Sequence, residues 1–130
     1  MTQIAGVTYD TGALLAAERN DRRMWALHAG FLAEDIVPVV PAPVLAQAWR
    51  GGSRQASVAR LLAMCEIEPM SEKQARDVGT LAGRAGHDDV VDVTVVEGAI
   101  RHRNGVVTSN EAHIRKIANA AREELRIERV

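Results

Sequence analysis

Two hydrophobic rhythms alternate along this chain. Short apolar runs are interleaved with longer ones of helical spacing, and Gly, Pro, Asn and Asp punctuate them. Ile4 to Tyr9 predicts a strand that stops at Asp10, and Thr11 to Glu18, rich in Ala and Leu, predicts a helix. Arg19-Asn20-Asp21 is a turn into a second helix from about Arg22 to Glu34, with Trp25, Leu27, His28, Phe31 and Leu32 available for its buried stripe. Ile36 to Val40 predicts a strand, short because it contains Pro38 and meets Pro41. Pro43 suits the first turn of a helix carrying Val44, Leu45 and Trp49 and stopping at Gly51-Gly52. Ser53 is placed to cap a helix with Val58, Leu61 and Leu62, Glu66 to Pro69 is a minor strand, and a helix opened by Ser71 ends at Gly86. An apolar helix runs from about Asp89 to His102, Asn104-Gly105 is a turn, and Val106 to Thr108 is a strand. A helix from Asn110 to Leu125 and an edge strand from Arg126 to Val130 complete the series.

Strand and helix alternate throughout with short connections, the pattern of an α/β layered fold with a mostly parallel sheet. A length of 130 residues suits one domain with a single core. Aromatics make up only 3% of the chain, so Ala, Val, Leu and Ile must build that core. Trp25 and Trp49 read as core or dimer-interface anchors. The net charge of −1 gives no overall attraction to nucleic acid, so such binding would need a local basic patch. Arg50, Arg54 and Arg60 offer one stripe, and Arg101, Arg103, Arg115 and Lys116 another. Taken singly, each of these residues is more simply part of a solvated face. The lone cysteine, Cys65, excludes an internal disulfide, reads as a buried small hydrophobe and suggests a reducing compartment. No apolar stretch is long enough to span a bilayer and no charged-then-apolar leader precedes the first strand, so a cytoplasmic protein is expected.

Charge matters most where the acids fall. Asp10 follows the first strand, where a parallel sheet directs groups into its ligand crevice, and it is equally well placed to cap the next helix. Asp89 and Asp92, three apart, share one helix face with Cβ atoms roughly 5–6 Å apart. Asp88 reads as the cap of that helix, and Asp89 then complements the helix dipole. Asp92 lies among Val90, Val91, Val93, Val95 and Val96, and a carboxylate there needs a partner. Thr108-Ser109-Asn110 follows a second strand, with hydroxyls and an amide that either cap a helix or approach a metal. A hard divalent cation held by a few carboxylates retains several waters and can promote attack on a phosphodiester. The four histidines, His28, His87, His102 and His113, show no ligand spacing and read as surface or cap residues. Only His87, which precedes the acidic turn, stands apart.

The run from Asp10 through Thr11-Gly12-Ala13-Leu14, then Asp89-Val90-Val91-Asp92, then Val106-Val107-Thr108-Ser109-Asn110, resembles the PIN-domain ribonucleases, and among them the VapC-type toxins of bacterial toxin–antitoxin operons. The likeness extends from Thr8 to the final helix, and Val37 to Trp49 resembles the second strand and following helix of actinobacterial members. It implies a three-layer α/β/α sandwich. It also implies a Mg²⁺ or Mn²⁺ site at Asp10, Asp89 and Asp92, and cleavage of single-stranded RNA. Asn110, with Thr108 or Ser109, would orient water there. An antitoxin partner and a homodimer are further implications. Asn110 stands where the pattern usually has Asp, and Gln47 where many members have Glu. Both replace a charged ligand with a neutral one, which points to weak or absent activity. Glu18 is a further source of charge, and Arg50 and Arg54 are the candidate RNA contacts. The alternative is a PIN-like binding module that sequesters RNA or an antitoxin-like peptide without cutting. Asp10-Thr11-Gly12 also matches the triplet of aspartic proteases, but those are all-β chains, and here a strongly helical Ala-Leu run follows.

Overall fold

The structure is a computed structural model, and it describes residues 5–130. Ile4, the expected first residue of the first strand, lies outside them. The element order is β1 (Gly6–Tyr9), α1 (Thr11–Glu18), α2 (Arg22–Ala33), β2 (Val39–Pro41), α3 (Ala42–Ala48), a 3₁₀ turn (Ser53–Gln55), α4 (Ala56–Leu62), β3 (Glu66–Glu68), α5 (Glu72–Ala85), α6 (Val90–His102), β4 (Asn104–Thr108), α7 (Glu111–Ala120) and β5 (Ile127–Arg129).

Five strands form one sheet in the order β3-β2-β1-β4-β5, and every pairing is parallel. Parallel neighbours need crossovers, and the helices supply them. The result is a PIN-like three-layer α/β/α sandwich. β1 is central, with Thr8 opposite Val39 on one side and Val106 on the other. The chain winds outward through β2 and β3, then returns to lay β4 and β5 on the opposite flank, so the winding reverses between β1 and β4. The carboxyl ends of those two strands therefore open onto the crevice where α/β sheets bind ligands.

α6 is the central helix. Val93, Thr94, Val95, Val96, Gly98 and Ala99 are all buried, as expected of a helix apolar on most of its circumference. It rests on β1, β2 and β4, with α5 and α7 against it, while α1 contacts α2, α3 and α4. Tyr9, Leu14, Met24, Leu61, Ile114 and Ile117 are among the largest fully buried side chains. Met24 was not in the expected stripe of α2, and His28 enters the core because its Nδ1 meets the buried Tyr9 hydroxyl at 2.8 Å.

Several expectations are corrected. Asn104-Gly105 is not a turn: both residues lie in β4, paired with Gly6 and Val7, and the reversal falls on Arg103 at φ 59°. The Asn104 amide donates to Thr8 Oγ1 at 3.1 Å, which satisfies a polar residue in a central strand. The second strand is Val39–Pro41 rather than Ile36 to Val40, since Pro38 delays pairing and Pro41 serves as the N-cap of α3. Ser53 makes no cap bond and begins a 3₁₀ turn instead. Trp49 falls just beyond α3 and is 42% exposed, so it is not a core anchor. Cys65 is half-buried against the core, and burial pushes its thiol pKa up to about 12. α7 ends at Ala120, short of Leu125. Asp89, not Asp88, caps α6. Among the described residues, no helix is long and apolar enough to cross a membrane.

Candidate active site

Asp10 is the best-defined member of the site. It leaves β1 in extended conformation and caps α1, its Oδ1 accepting from Ala13 N at 2.8 Å. Its own amide donates to Val107 O at 3.1 Å, which ties it to β4. The side chain is almost entirely covered, at 5% exposure. Burial pushes its pKa up to about 6, the negative charge of Asp92 adds to that rise, and hydrogen bonds from the Thr108 hydroxyl and the Ala13 and Gly12 amides oppose it. A capping role and a crevice position therefore coexist in one carboxylate.

β4 delivers the next group. Thr108, fully buried, donates to Asp10 and accepts from Asn110 N at 2.8 Å. Asn110 caps α7: its Oδ1 accepts from His113 N at 3.4 Å, and its amide nitrogen lies 2.9 Å from His113 Nδ1. Ser109, between them, presses on Gly12. A Cβ added at Gly12 would lie 1.9 Å from Ser109 Oγ and 3.1 Å from its backbone N. Glycine is required here for the close approach that locks the exit of β4 against the start of α1.

The first turn of α6 supplies Asp92. Its carboxylate is 21% exposed and receives two imidazoles, His87 Nε2 at 3.0 Å and His113 Nδ1 at 3.5 Å. Asp10, Thr108, Asn110, His113, Asp92 and His87 thus form a continuous polar chain at the β1–β4 crevice. Among the described residues, no Lys or Arg forms an ion pair with either Asp10 or Asp92.

The remaining candidates are more peripheral. Asp89 is exposed at the start of α6, where one carboxylate oxygen accepts from Val91 N at 2.9 Å and Asp92 N at 3.4 Å, leaving its second oxygen free of these bonds. Gln47 lies on α3 and accepts from the Thr11 hydroxyl at 2.5 Å, which sets it at the rim beside Asp10. Glu18 closes α1, about 10 Å of helix away from Thr11, and belongs to none of these contacts. Arg50 and Arg54 are exposed and form no ion pair among the described residues. Arg60 stacks 5.0 Å over the Trp25 ring. In the other basic stripe, Arg101 is held by Glu97 and Glu68, and Arg115 by Glu111.

Sequence reading missed the two histidines. His87 and His113 are 26 positions apart, so spacing carries no sign that they meet. Only His87's place before the acidic turn hinted at a role. A 480 Å³ hollow lined in part by Phe31, Glu34, Gly105 and Arg126 contains none of these groups.

Comparison with known proteins adds the fold. No family model matches the sequence, and no curated protein matches it. Solved structures do match. The chain is similar to one in VapBC2 from Rickettsia felis, bound to a DNA fragment from their promoter. The TM-score is 0.71 at 19% identity, over 95% of this chain and 98% of that one. It is also similar to one in FitAB bound to the IR36 DNA fragment. There the TM-score is 0.64 at 15% identity, over 95% of this chain and 94% of that one. At such identities the likeness concerns the fold.

Proposed function

We propose that this protein is a metal-dependent endoribonuclease acting in the cytoplasm as the toxin of a toxin–antitoxin pair. The observation that carries the proposal is a buried Asp10 brought close to Asp92 at the winding reversal of the sheet, with no Lys or Arg paired to either among the described residues. A carboxylate whose pKa is raised by burial, and to a lesser degree by the charge of a neighbouring acid, gains most from a hard divalent cation. Asp10 and Asp92 would hold it, with Asp89 contributing charge from the start of α6. Mg²⁺ or Mn²⁺ bound there supplies positive charge to a phosphodiester and lowers the pKa of water.

The residues of the chain do the rest. The Thr108 hydroxyl, hydrogen-bonded to Asp10, favours its charged form. Asn110 and Ser109 stand at the same mouth as polar contacts for substrate or water. A carboxylate of the pair takes the proton of the water that attacks phosphorus in line with the departing sugar oxygen. Arg50 and Arg54, free of acidic partners among the described residues, hold the RNA backbone. The resemblance to chains of two complexes, VapBC2 and FitAB, supports a protein partner. A 480 Å³ apolar hollow formed by Ala42, Leu45, Ala46, Trp49, Leu62 and Ile67 offers surface for an antitoxin or a second copy to cover.

A second reading has one observation in its favour. Gln47 and Asn110 are neutral, and Asp92 already meets two imidazoles, so the site is partly satisfied without an ion. The chain would then sequester RNA or an antitoxin-like peptide without cutting it. One experiment separates the two. The purified protein and its Asp10→Asn variant are incubated with structured and unstructured RNA, with Mn²⁺ or with a chelator. Metal-dependent fragments that vanish in the variant support the nuclease. Intact RNA retained equally by both, with or without metal, supports the binder.

A further inference from the structure

His87 and His113 have no place in the nuclease reading, yet the fold spends three elements on bringing them to Asp92. Gly86, at φ 61°, ends α5 in the left-handed conformation, and His87 N then donates to Ala82 O at 3.2 Å. That turn leaves the His87 ring 9% exposed beside the first turn of α6. His113 comes from the first turn of α7, more exposed, and the two rings meet edge to face with centroids 4.9 Å apart. One ligand atom from each of His87, Asp92 and His113 falls within 4.8 Å of the others.

The Asp92 carboxylate lies 3.0 Å from His87 Nε2 and 3.5 Å from His113 Nδ1, with no Lys or Arg paired to it among the described residues. An ion among the three would satisfy a donor on each, with His113 Nδ1 exchanging the Asn110 amide nitrogen, 2.9 Å away, for the ion. The spacing also suits one: around a tetrahedral ion with bonds of about 2.0 Å, neighbouring ligand atoms lie about 3.3 Å apart. The two carboxylate–imidazole distances, 3.0 and 3.5 Å, bracket that value.

We infer that His87, Asp92 and His113 form a binding site for a borderline divalent transition metal of the zinc class. Two imidazoles and one carboxylate are the donors such ions select, whereas Mg²⁺ takes oxygen ligands. The site goes beyond the nuclease reading, because it requires the histidines and not Asp10; only Asp92 is common to both.

The test uses the full chain, stripped with a chelator and dialysed, without RNA. Zn²⁺ is titrated by calorimetry, and Co²⁺ is added separately as a visible-absorption probe. His87→Gln, His113→Gln and Asp10→Asn are compared with the unaltered protein, each checked for fold by circular dichroism. The expected result is about one Zn²⁺ per chain, an affinity at least about tenfold weaker in either histidine variant, and an Asp10→Asn affinity within about threefold of the original. The Co²⁺ spectrum of a low-symmetry nitrogen site should vanish in His113→Gln. If His87→Gln fails to fold, the exposed His113 position decides. Unchanged Zn²⁺ affinity in His113→Gln overturns the inference. So does loss of Zn²⁺ in Asp10→Asn with retention in His113→Gln, which would place the ion in the acid pocket. Metal-dependent RNA cleavage is read separately, so neither outcome is confused with failure of the nuclease reading.

Discussion

A single carboxylate shows how function and stability pull apart in this protein. Asp10 is both the cap of α1 and a buried charge, and burial lifts its pKa to about 6 from an ordinary 3.8. The folded state therefore holds that proton more tightly than the unfolded chain does. As pH rises through the window from about 4 to about 6, the folded state loses stability relative to the unfolded one, by up to about 3 kcal/mol. Asp10→Asn keeps a capping side chain and removes the charge. With a chelator present, the variant should match the unaltered protein near about pH 4 and exceed it by about 1–3 kcal/mol near about pH 7. Urea denaturation at both pH values checks this, and parity at both would show that Asp10 is not strained by its burial. Asn110→Asp makes the opposite exchange. It retains the cap on His113 N and adds charge beside Asp92, so Mn²⁺ should bind about tenfold more tightly by calorimetry. An unchanged or weaker site would mean that Asn110 does not face the ion. Asp10, Asp92 and Asn110 were legible because strand ends and helix starts mark them locally. His113 was not, since its partner on α6 is 21 residues away in sequence and the meeting depends on how α5, α6 and α7 pack.

Elements were legible in proportion to how local their causes are. α1 follows from an Ala-Leu run with a carboxylate cap, and α6 from an unbroken valine-rich segment. β4 was read two residues short, because Asn104-Gly105 has the composition of a turn. What makes it a strand is remote: Asn104 satisfies itself on Thr8, and Gly6 leaves room for it, since a Cβ there would lie 2.8 Å from Asn104 Oδ1. The same kind of remote cause governs Gly12. In a helix interior, Gly→Ala ordinarily stabilises by roughly 0.5–1 kcal/mol. Here the new methyl would strike the Ser109 side chain and crowd its backbone. Gly12→Ala should therefore destabilise, by about 1–3 kcal/mol, and displace the Thr108–Asn110 turn that steadies Asp10. Ser109→Gly in the Gly12→Ala background should restore most of the loss. Thermal unfolding of the single and double variants measures both effects, and a more stable single variant would show that Ser109 yields without cost.

For the molecule as a whole, the parallel sheet concentrates acids at one end while net charge stays at −1. A crevice of carboxylates repels a phosphodiester, so on the nuclease reading an RNA would be drawn in by cations outside it. Of the two basic stripes, the one with Arg50 and Arg54 is the candidate RNA contact. Arg101 and Arg115 of the other are engaged by acids of their own helices, and Arg60 lies over Trp25, whereas Arg50 and Arg54 follow α3, the helix that carries Gln47 to the rim of the site. Arg50 also donates to Ala46 O and Trp49 O, bonds that position its guanidinium without neutralising it. If these two arginines contact phosphates, replacing both with Ala should shift the salt dependence of single-stranded RNA binding. At about 0.7 per phosphate contact, the slope of log K against log salt should become shallower by about 1.4. The measurement belongs in chelator, where RNA stays intact, and it should use the same oligonucleotide from low to moderate salt. Because neither side chain touches Asp10 or Asp92, the variant should still cleave saturating RNA with Mn²⁺ at close to the original rate. A slope that does not move would place the RNA on another face and return Arg50 and Arg54 to the solvated surface.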